Sequence, residues 1–353
     1  MTSPPDTSIP RDALFRFYAS EVSYYSAKVR PALRYKRVPH AEILPTPAVQ
    51  RDVIRRRTGL GQIPVVVTPA DEVLQDSSDI LDTLEARFPD PPLYPTSPVQ
   101  RLAGYLVELY ADEFLIMSGL HYRWSFPESE AKARGDFAAS TGDLESAGRF
   151  ADQVKLYVQM VGVGPATAPA IEAHTHELLA IFSEHLAAHP YLLGGRPSLG
   201  DCGLIGPLYP HLYLDAVPAR LLRETAPRVC HWIERMNHPD PDGFGDWLAG
   251  DALPPMLRPL CALIGRDGVP VILDVARAFE AWADANPGTT AFLPRGVGMH
   301  GSRLRQVAFD RITTPYTLWM VQRVLDAYRA LPPGGRAAVD AAMAGTGCEA
   351  LLA

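Results

Sequence analysis

The chain has 353 residues, of which 47% are hydrophobic and 21% charged, enough for a large core and more than one domain. The net charge is −7 and the longest basic block is three arginines at 55–57, which argues against nucleic-acid binding. Four scattered cysteines without a CxxC pair favour neither a disulfide framework nor a metal site. No apolar run has membrane-spanning length and residues 1–12 do not resemble a signal peptide, so we expect a cytoplasmic protein.

The first 90 residues alternate between strand and helix patterns. Strands are predicted at 13–18 and 39–45 and as a pair within 63–76, and helices at 24–36, 48–58 and 77–89. The order is therefore strand, helix, strand, helix, strand, strand, helix. Pro31 lies inside the first helix and removes one backbone hydrogen bond, so we expect that helix to be short or kinked.

Beyond a proline-rich segment at 91–98, strand patterns nearly vanish. Helical patterns recur at about 98–126, 143–161, 168–189, 198–215, 219–238, 270–285, 304–330 and 334–352. The predicted organisation is a flexible N-terminus (1–12), an α/β domain (13–90), a linker (91–98), an all-α domain (99–248) and a helical extension (249–353). The glycine-rich stretch 295–306 is expected to form either a loop over the cleft between domains or a mobile linker.

The stretch IPVVV at 63–67 starts a strand with a proline. A trans proline is the ordinary interpretation, because only about 5–6% of X–Pro bonds are cis. A cis Pro64 would instead turn the backbone of Ile63 outward, where its N–H and C=O could pair with an extended peptide ligand. Both interpretations stay open on this stretch alone.

Asp76 and Ser77 stand at the start of the predicted helix 77–89. Residues of these types commonly cap helices, which is the simpler interpretation. The same helix end can also bind an external carboxylate, with the Asp76 carboxylate accepting a hydrogen bond from a ligand ammonium. Such a pair matches the head group of an α-amino acid.

Ser23 precedes the predicted helix 24–36 and is again a candidate cap. A hydroxyl there could alternatively donate to a bound thiolate and lower the pKa of the thiol. A nucleophilic serine is not indicated, because the sequence has no G-x-S-x-G elbow. Together with Pro64 and Asp76-Ser77, this hydroxyl would suit a γ-glutamyl tripeptide thiol.

In this order and spacing, the motifs resemble those of the cytosolic glutathione S-transferase superfamily over roughly residues 13–248. The resemblance is carried by SYYSAKVR at 23–30, IPVVV at 63–67, LQDSSDILDTLEARFP at 74–89 and PYLLGGRPSLGDCGLIGPLY at 190–209. It implies an α/β thioredoxin-like βαβαββα domain followed by an all-helical domain, here with extra helices. In the last motif, Ser198 and Asp201 are expected to form a structural capping box.

The resemblance also implies roles for individual residues. Ser23 would activate the thiol of glutathione, with Tyr18 at the end of the first strand as the main rival. Ile63, beside a cis Pro64, would pair with the cysteinyl backbone, and Asp76 and Ser77 would hold the γ-glutamyl end. Tyr24, where many family members have proline, is a departure from the pattern, as is Pro31.

The second substrate is expected to be a small hydrophobic electrophile bound against the first helices of the all-α domain. The candidate pocket residues there are Tyr110, Phe114, Met117, Tyr122 and Trp124, although such residues are more often core. The implied enzyme is a glutathione transferase that needs no metal and forms a homodimer. A glutathione-dependent isomerase or an ether- or halide-cleaving lyase is an alternative, as is a non-catalytic binding module. We expect the extension to narrow the second-substrate pocket. Deleting 250–353 would then change second-substrate selectivity and leave glutathione binding nearly intact.

Overall fold

The computed structural model describes residues 13–240, 242–255, 257–288 and 293–353. The predicted flexible N-terminus at 1–12 lies outside the described residues. Residues 289–292, shortly before the predicted loop at 295–306, also lie outside the described residues.

The N-terminal part is a four-stranded sheet with helices packed on it, as predicted. Its elements are β1 (Phe15–Tyr18), α1 (Tyr24–Tyr35), β2 (His40–Ile43), α2 (Pro47–Val49), a π-helical segment (Gln50–Arg55), α3 (Arg56–Thr58), β3 (Val65–Val67), β4 (Val73–Gln75) and α4 (Ser77–Arg87). The sheet order is β2-β1-β3-β4, with β1 and β2 parallel and the other pairs antiparallel. This is the thioredoxin-like arrangement, and the predicted order of elements is confirmed.

Helix α1 tolerates its internal proline. The helix continues for four residues after Pro31 and spans 12 residues, so the expectation of a short helix is wrong. Burial explains why the helix persists: Val29, Ala32 and Leu33 are fully buried in the core between the sheet and the helical domain. This tertiary packing outweighs the backbone hydrogen bond that the proline removes.

The second part of the chain is helical. After an irregular segment at 88–97 the helices are α5 (Pro98–Glu113), α6 (Ile116–Trp124), α7 (Pro127–Thr141), α8 (Leu144–Met160), α9 (Ala168–Ala188), α10 (Leu199–Pro207) with a π-helical continuation (Leu208–Tyr213), α11 (Ala216–Thr225) and α12 (Pro227–Asn237). The predicted capping box of Ser198 and Asp201 starts α10. Helix α7 was not among the sequence predictions.

The C-terminal extension is mostly helical but contains a β-hairpin. Its elements are α13 (Leu257–Leu263), a π-helical segment (Ile264–Gly268), α14 (Val269–Ala285), β5 (Met299–Leu304), β6 (Val307–Ile312), α15 (Pro315–Arg329), α16 (Pro333–Met343) and a 3₁₀ turn (Cys348–Leu351). The predictions of a loop at 295–306 and of a helix starting at 304 are therefore wrong. Residues 299–312 form two antiparallel strands that pair with each other instead.

The extension shares one hydrophobic core with the rest of the protein. Leu260, Val271 and Met320 of the extension are buried in the same cluster as Phe17 of β1 and Leu106 of α5. A buried polar chain also joins the parts. The Tyr110 hydroxyl is 2.5 Å from Nε2 of His174, and Nδ1 of that histidine is 2.8 Å from Oδ2 of Asp267 in the extension.

Candidate functional site

A cavity of about 830 Å³ lies where the N-terminal domain, the start of the helical domain and the extension meet. Its lining residues are Tyr25, Leu60, Gln62, Ile63, Pro64, Gln75, Asp76, Ser77, Asp112, Glu113, Ile116, Tyr157, Val161, Leu293, Pro294, Arg295, Gly296, Arg311, Ile312, Thr314, Pro315, Tyr316 and Trp319. The volume is within the range of about 300–1,000 Å³ of small-molecule sites. The four predicted glutathione-binding residues, Ile63, Pro64, Asp76 and Ser77, therefore all line this cavity.

Asp76 and Ser77 form the N-terminus of α4 at the cavity wall. Asp76 caps this helix, and its Oδ1 accepts hydrogen bonds from the backbone N–H groups of Ser78 at 2.8 Å and Asp79 at 3.3 Å. Among the described residues, Oδ2 of Asp76 receives no hydrogen bond. Since the first N–H groups of a helix have no partner within it, Ser77 adds donors at the same place. The two interpretations made from the sequence are thus compatible: Asp76 is a cap and still has an oxygen for a ligand.

Ile63 and Pro64 form the neighbouring part of the wall. The Ile63–Pro64 peptide bond is cis, as the resemblance implied. Two amide side chains that the sequence analysis did not select, Gln62 and Gln75, line the cavity beside them. The Nε2 group of Gln75 is buried and makes no hydrogen bond within the described part of the chain. This stretch therefore presents amide groups of the kind that hold a peptide.

Two hydroxyl groups lie near the N-terminus of α1, and they differ in position. Ser23 caps α1 and its Oγ accepts from the N–H of Ser26 at 3.3 Å, but Ser23 does not line the cavity. Tyr25, two residues further, does line it, and its hydroxyl is 3.4 Å from the Asp112 carbonyl oxygen. Burial and the carboxylates of Asp112 and Glu113 raise the pKa of Tyr25 well above its usual value. The Tyr25 hydroxyl therefore stays protonated. It donates its one proton to the Asp112 carbonyl oxygen across a long contact, which a ligand acceptor would have to replace.

Tyr18, the predicted rival to Ser23, lies in a different environment. It is buried in a small separate cluster with Ile54, Val65 and Val67. It does not line the cavity. The alternation of side chains along β1 places Tyr18 on the face of the sheet that packs against the π-helical segment.

The five residues predicted to line the second-substrate pocket are core residues instead. Tyr110, Phe114, Met117, Tyr122 and Trp124 are all buried, with exposed fractions of 5% or less, and none lines the cavity. The extension explains part of this: Gly268 lies against the rings of Tyr110 and Phe114 so closely that a Cβ atom there would be 3.2 Å from Tyr110. The apolar surface of the cavity comes from elsewhere, in part from Ile116 of α6 and Trp319 of α15.

Tyr24 has a structural role at the junction of the two domains. Its hydroxyl donates to the carbonyl oxygen of Ala111 at 2.6 Å, and its ring packs against His211. Cβ atoms placed on Gly119 or Gly206 would lie 3.2 Å or less from this ring. A bulky aromatic residue at this position therefore depends on glycines in the facing helices.

A buried ion cluster lies behind the cavity. The Lys28 ammonium is 2.5 Å from Asp112, 2.7 Å from Glu108 and 2.7 Å from the Ser78 hydroxyl. Glu108 has a second cation, since Arg323 of α15 is 3.3 Å away. Among the described residues, Lys28 is the only cation that forms a salt bridge with Asp112. Burial raises the pKa of Asp112 to about 7.

The floor of the cavity contains an acidic and a basic residue that meet only in the folded chain. Arg311 of β6 donates to the backbone carbonyl oxygen of Glu113, with 2.5 Å between Nη2 and that oxygen. The Glu113 carboxyl group accepts a hydrogen bond from the Thr317 hydroxyl, and burial raises the pKa of Glu113. Neither residue was selected from the sequence, because no local pattern connects positions 198 residues apart.

Within the described part of the chain, no group of three or more His, Cys, Asp or Glu side chains is arranged to hold a metal ion. His174 and His176, on α9, do not form such a group. Among the same residues, no helix has both the length and the apolar character needed to cross a membrane.

Comparison with known families matches two segments of the chain. Residues 17–92 match the N-terminal domain of glutathione S-transferases, and residues 165–235 match their C-terminal domain. The two segments correspond to the sheet domain that carries the cavity motifs and to the helices α9 to α12. The chain thus carries segments that match both domains of the glutathione S-transferase family. No curated protein matches the chain.

Solved structures with a similar fold share little sequence with this chain. The beta-etherase LigF from Sphingobium sp. is 18% identical, with 63% of this chain and 94% of that chain covered and a TM-score of 0.45. A glutathione S-transferase from Methylobacterium radiotolerans, solved with glutathione sulfonate, is 23% identical, with coverage of 67% and 98% and a TM-score of 0.42. A Tau class glutathione S-transferase from mango, Mangifera indica, is 17% identical, with coverage of 67% and 94% and a TM-score of 0.42.

Proposed function

We propose that this chain binds glutathione in the cavity and holds its thiolate for attack on an apolar electrophile. The observation that carries the proposal is the convergence of Ile63, Pro64, Asp76 and Ser77 on one cavity. These residues form two adjacent pairs, one before β3 and one after β4, and each pair has the chemistry that one part of a γ-glutamyl tripeptide needs.

The γ-glutamyl end would bind at the N-terminus of α4. The Oδ2 atom of Asp76 would accept from the ligand ammonium, and the Ser77 hydroxyl and N–H would donate to the ligand carboxylate. The cysteinyl backbone would pair with Ile63 beside the cis Pro64, with the amides of Gln62 and Gln75 nearby. This arrangement directs the thiol toward α1.

The thiolate would be stabilised by a hydroxyl from the start of α1. The resemblance assigns this role to Ser23, and the lining of the cavity favours Tyr25 as a second donor. A hydrogen bond donated to the thiolate favours the charged form and lowers the pKa of the thiol. Tyr25 suits such a donor because its raised pKa keeps the hydroxyl protonated.

The ultraviolet absorbance of bound glutathione, followed against pH, tests the assignment of the donor. We expect bound glutathione to have a thiol pKa below that of free glutathione in the wild type. One of the two variants Ser23→Ala and Tyr25→Phe should remove the donor. That variant should raise the thiol pKa of bound glutathione toward the value of free glutathione by about one unit or more, where one unit corresponds to about 1.4 kcal/mol of differential interaction. Tyr18→Phe is the matched control and should leave it unchanged. A thiol pKa that neither Ser23→Ala nor Tyr25→Phe alters would contradict both assignments.

The second substrate would enter beside Ile116, Val161 and Trp319, which give the cavity its apolar surface. The thiolate would attack an electrophilic carbon of that substrate, and a thioether would form as the leaving group departs or the activated double bond is protonated. Pairing of two chains as a homodimer is proposed from the resemblance alone.

A further inference from the structure

Arg311 is the most enclosed cation of the cavity wall, with 4% of its surface exposed. One guanidinium nitrogen, Nη2, donates to the Glu113 carbonyl oxygen at the end of α5, where a cation also complements the helix dipole. The other, Nη1, is buried and makes no hydrogen bond within the described part of the chain. A buried N–H group without an acceptor is costly, and an acceptor oxygen of a bound ligand would satisfy it, most strongly if that oxygen is anionic.

No acid among the described residues of the cavity forms a salt bridge with Arg311, although the charge of Glu113 acts on it over a longer distance. Among the described residues no carboxylate oxygen lies within 4.0 Å of its guanidinium group, although the residue is adjacent to Glu113. The Glu113 carboxyl accepts a hydrogen bond from Thr317, and burial raises its pKa. Asp112 is held by Lys28 and Asp76 caps α4. The remaining basic side chain of the cavity wall, Arg295, is exposed.

Apolar side chains line the same cavity as this cation. Ile116 and Val161 are buried, Trp319 is half-buried, and Tyr157 and Leu293 are exposed. A ligand that used all of this wall would need an apolar body and one anionic group. A neutral apolar electrophile would fill the apolar part and leave Nη1 of Arg311 without an acceptor.

We infer that the second substrate is an amphiphilic anion: an aromatic or aliphatic electrophile with a carboxylate or sulfonate that pairs with Arg311. The inference rests on the proposed function, because it assigns the glutathione subsite to Asp76 and Ser77 and leaves Arg311 for the other ligand. An arginine suits this role since its planar guanidinium can pair with both oxygens of such a group. The extension, which supplies Arg311, Arg295 and Trp319, would then select the substrate.

The test uses two fluorescent probes that differ by one charged group, anilinonaphthalene sulfonate and N-phenyl-naphthylamine. Their dissociation constants are measured with the full chain and saturating glutathione. Arg311→Met should weaken binding of the sulfonate by about tenfold or more and change binding of the neutral probe by less than about threefold, since a charge-assisted hydrogen bond is lost only with the anion. Arg303→Met, an exposed arginine of the same hairpin outside the cavity, is the matched control and should alter neither.

Three results would overturn the inference. One is equal weakening of both probes, which a merely structural role of Arg311 predicts. Another is no effect on either probe. The third is weaker binding of glutathione by Arg311→Met, measured by calorimetry, with probe selectivity unchanged; Arg311 would then hold the glycyl carboxylate of glutathione. If Arg311→Met does not fold, Arg311→Lys replaces it. In addition, a benzoate and the matching benzamide are compared as competitors for the wild type. A wild type that does not prefer the benzoate overturns the inference. Failure of the wild type to bind glutathione in the calorimeter would instead reject the proposed function.

Discussion

At the scale of single residues, the chain holds two buried carboxylates against one buried lysine. Lys28, Glu108 and Asp112 have at most 1% of their surface exposed. Glu108 is also paired with Arg323, so the carboxyl group of Asp112 is the one that burial disfavours as an anion. The pKa of Asp112, raised from 3.8 to about 7, therefore links the stability of the protein to pH.

Asp112→Asn tests this link. Because the folded-state pKa of Asp112 is raised, the folded wild type binds a proton that the unfolded chain has lost, and stability falls as pH rises from 3.8 through about 7. Asparagine does not titrate, so the free energy of unfolding of the variant minus that of the wild type should increase across this window. Urea unfolding at a series of pH values measures the difference. A difference that stays constant with pH would show that Asp112 does not titrate in this window.

The sequence selected those cavity-lining residues that have a local pattern and missed those that do not. Asp76 and Ser77 stand at a helix start and Pro64 at a strand start, so each could be selected from its neighbours. Glu113 and Arg311 meet only because the hairpin β5–β6 packs at the end of α5. Long-range contacts of this kind leave no periodic pattern in a single sequence.

At the scale of elements, helices α8 and α10 each have an aspartate that caps the first turn, but the two aspartates bind different groups. Asp201 belongs to the capping box of α10, and Asp143 is the N-cap residue of α8. Asp201 is fully buried, and its carboxylate accepts from Ser198, from the N–H of Leu192 and from Nε1 of Trp232. Asp143 caps α8 at an exposed position and accepts only from its own helix among the described residues. The first aspartate therefore joins three segments, and the second stabilises one helix end.

Asp201→Ala should destabilise the protein far more than Asp143→Ala. Loss of an exposed cap costs about 1 kcal/mol, whereas each buried donor left without an acceptor adds about 1–3 kcal/mol. We expect a loss of about 3 kcal/mol or more for Asp201→Ala and about 1 kcal/mol for Asp143→Ala, measured by urea unfolding. Equal losses would mean that the buried contacts of Asp201 contribute nothing beyond capping.

The hairpin is the element that the sequence predicted incorrectly. A helical pattern is present in 315–329, and the prediction extended it upstream to residue 304. In the structure Pro315 begins α15, and the preceding residues Val307–Ile312 pair with Met299–Leu304. Proline is common at the first position of a helix, and this signal sets the boundary better than the apolar period does.

At the scale of the whole molecule, the extension is part of the body and not an appendage. Residues from α13, α14, α15 and α16 lie in the same core as β1 and α5, and Arg323 reaches Glu108 inside it. Each fully buried aliphatic side chain contributes about 1.5–3 kcal/mol. The expectation that the chain without 250–353 would keep its glutathione binding nearly intact is therefore revised.

A chain that ends at residue 249 should lose its cooperative thermal unfolding and aggregate or bind hydrophobic dyes. The physical reason is that it exposes the core under α5 and leaves Glu108 without Arg323. Differential scanning calorimetry of the shortened and full chains measures this. A shortened chain with a sharp transition near that of the full chain would show that the extension is dispensable for the fold.

The most direct test of the account is calorimetric titration of glutathione into the wild type and into Asp76→Asn. Asparagine keeps the helix cap and tolerates the backbone φ of +76° at this position, so the variant removes the charge with little other change. We expect the wild type to bind one glutathione per chain and Asp76→Asn to bind it about tenfold or more weakly, because a charged hydrogen bond contributes about 1.5–3 kcal/mol. No binding to the wild type, or equal binding to both proteins, would contradict the assignment of the cavity.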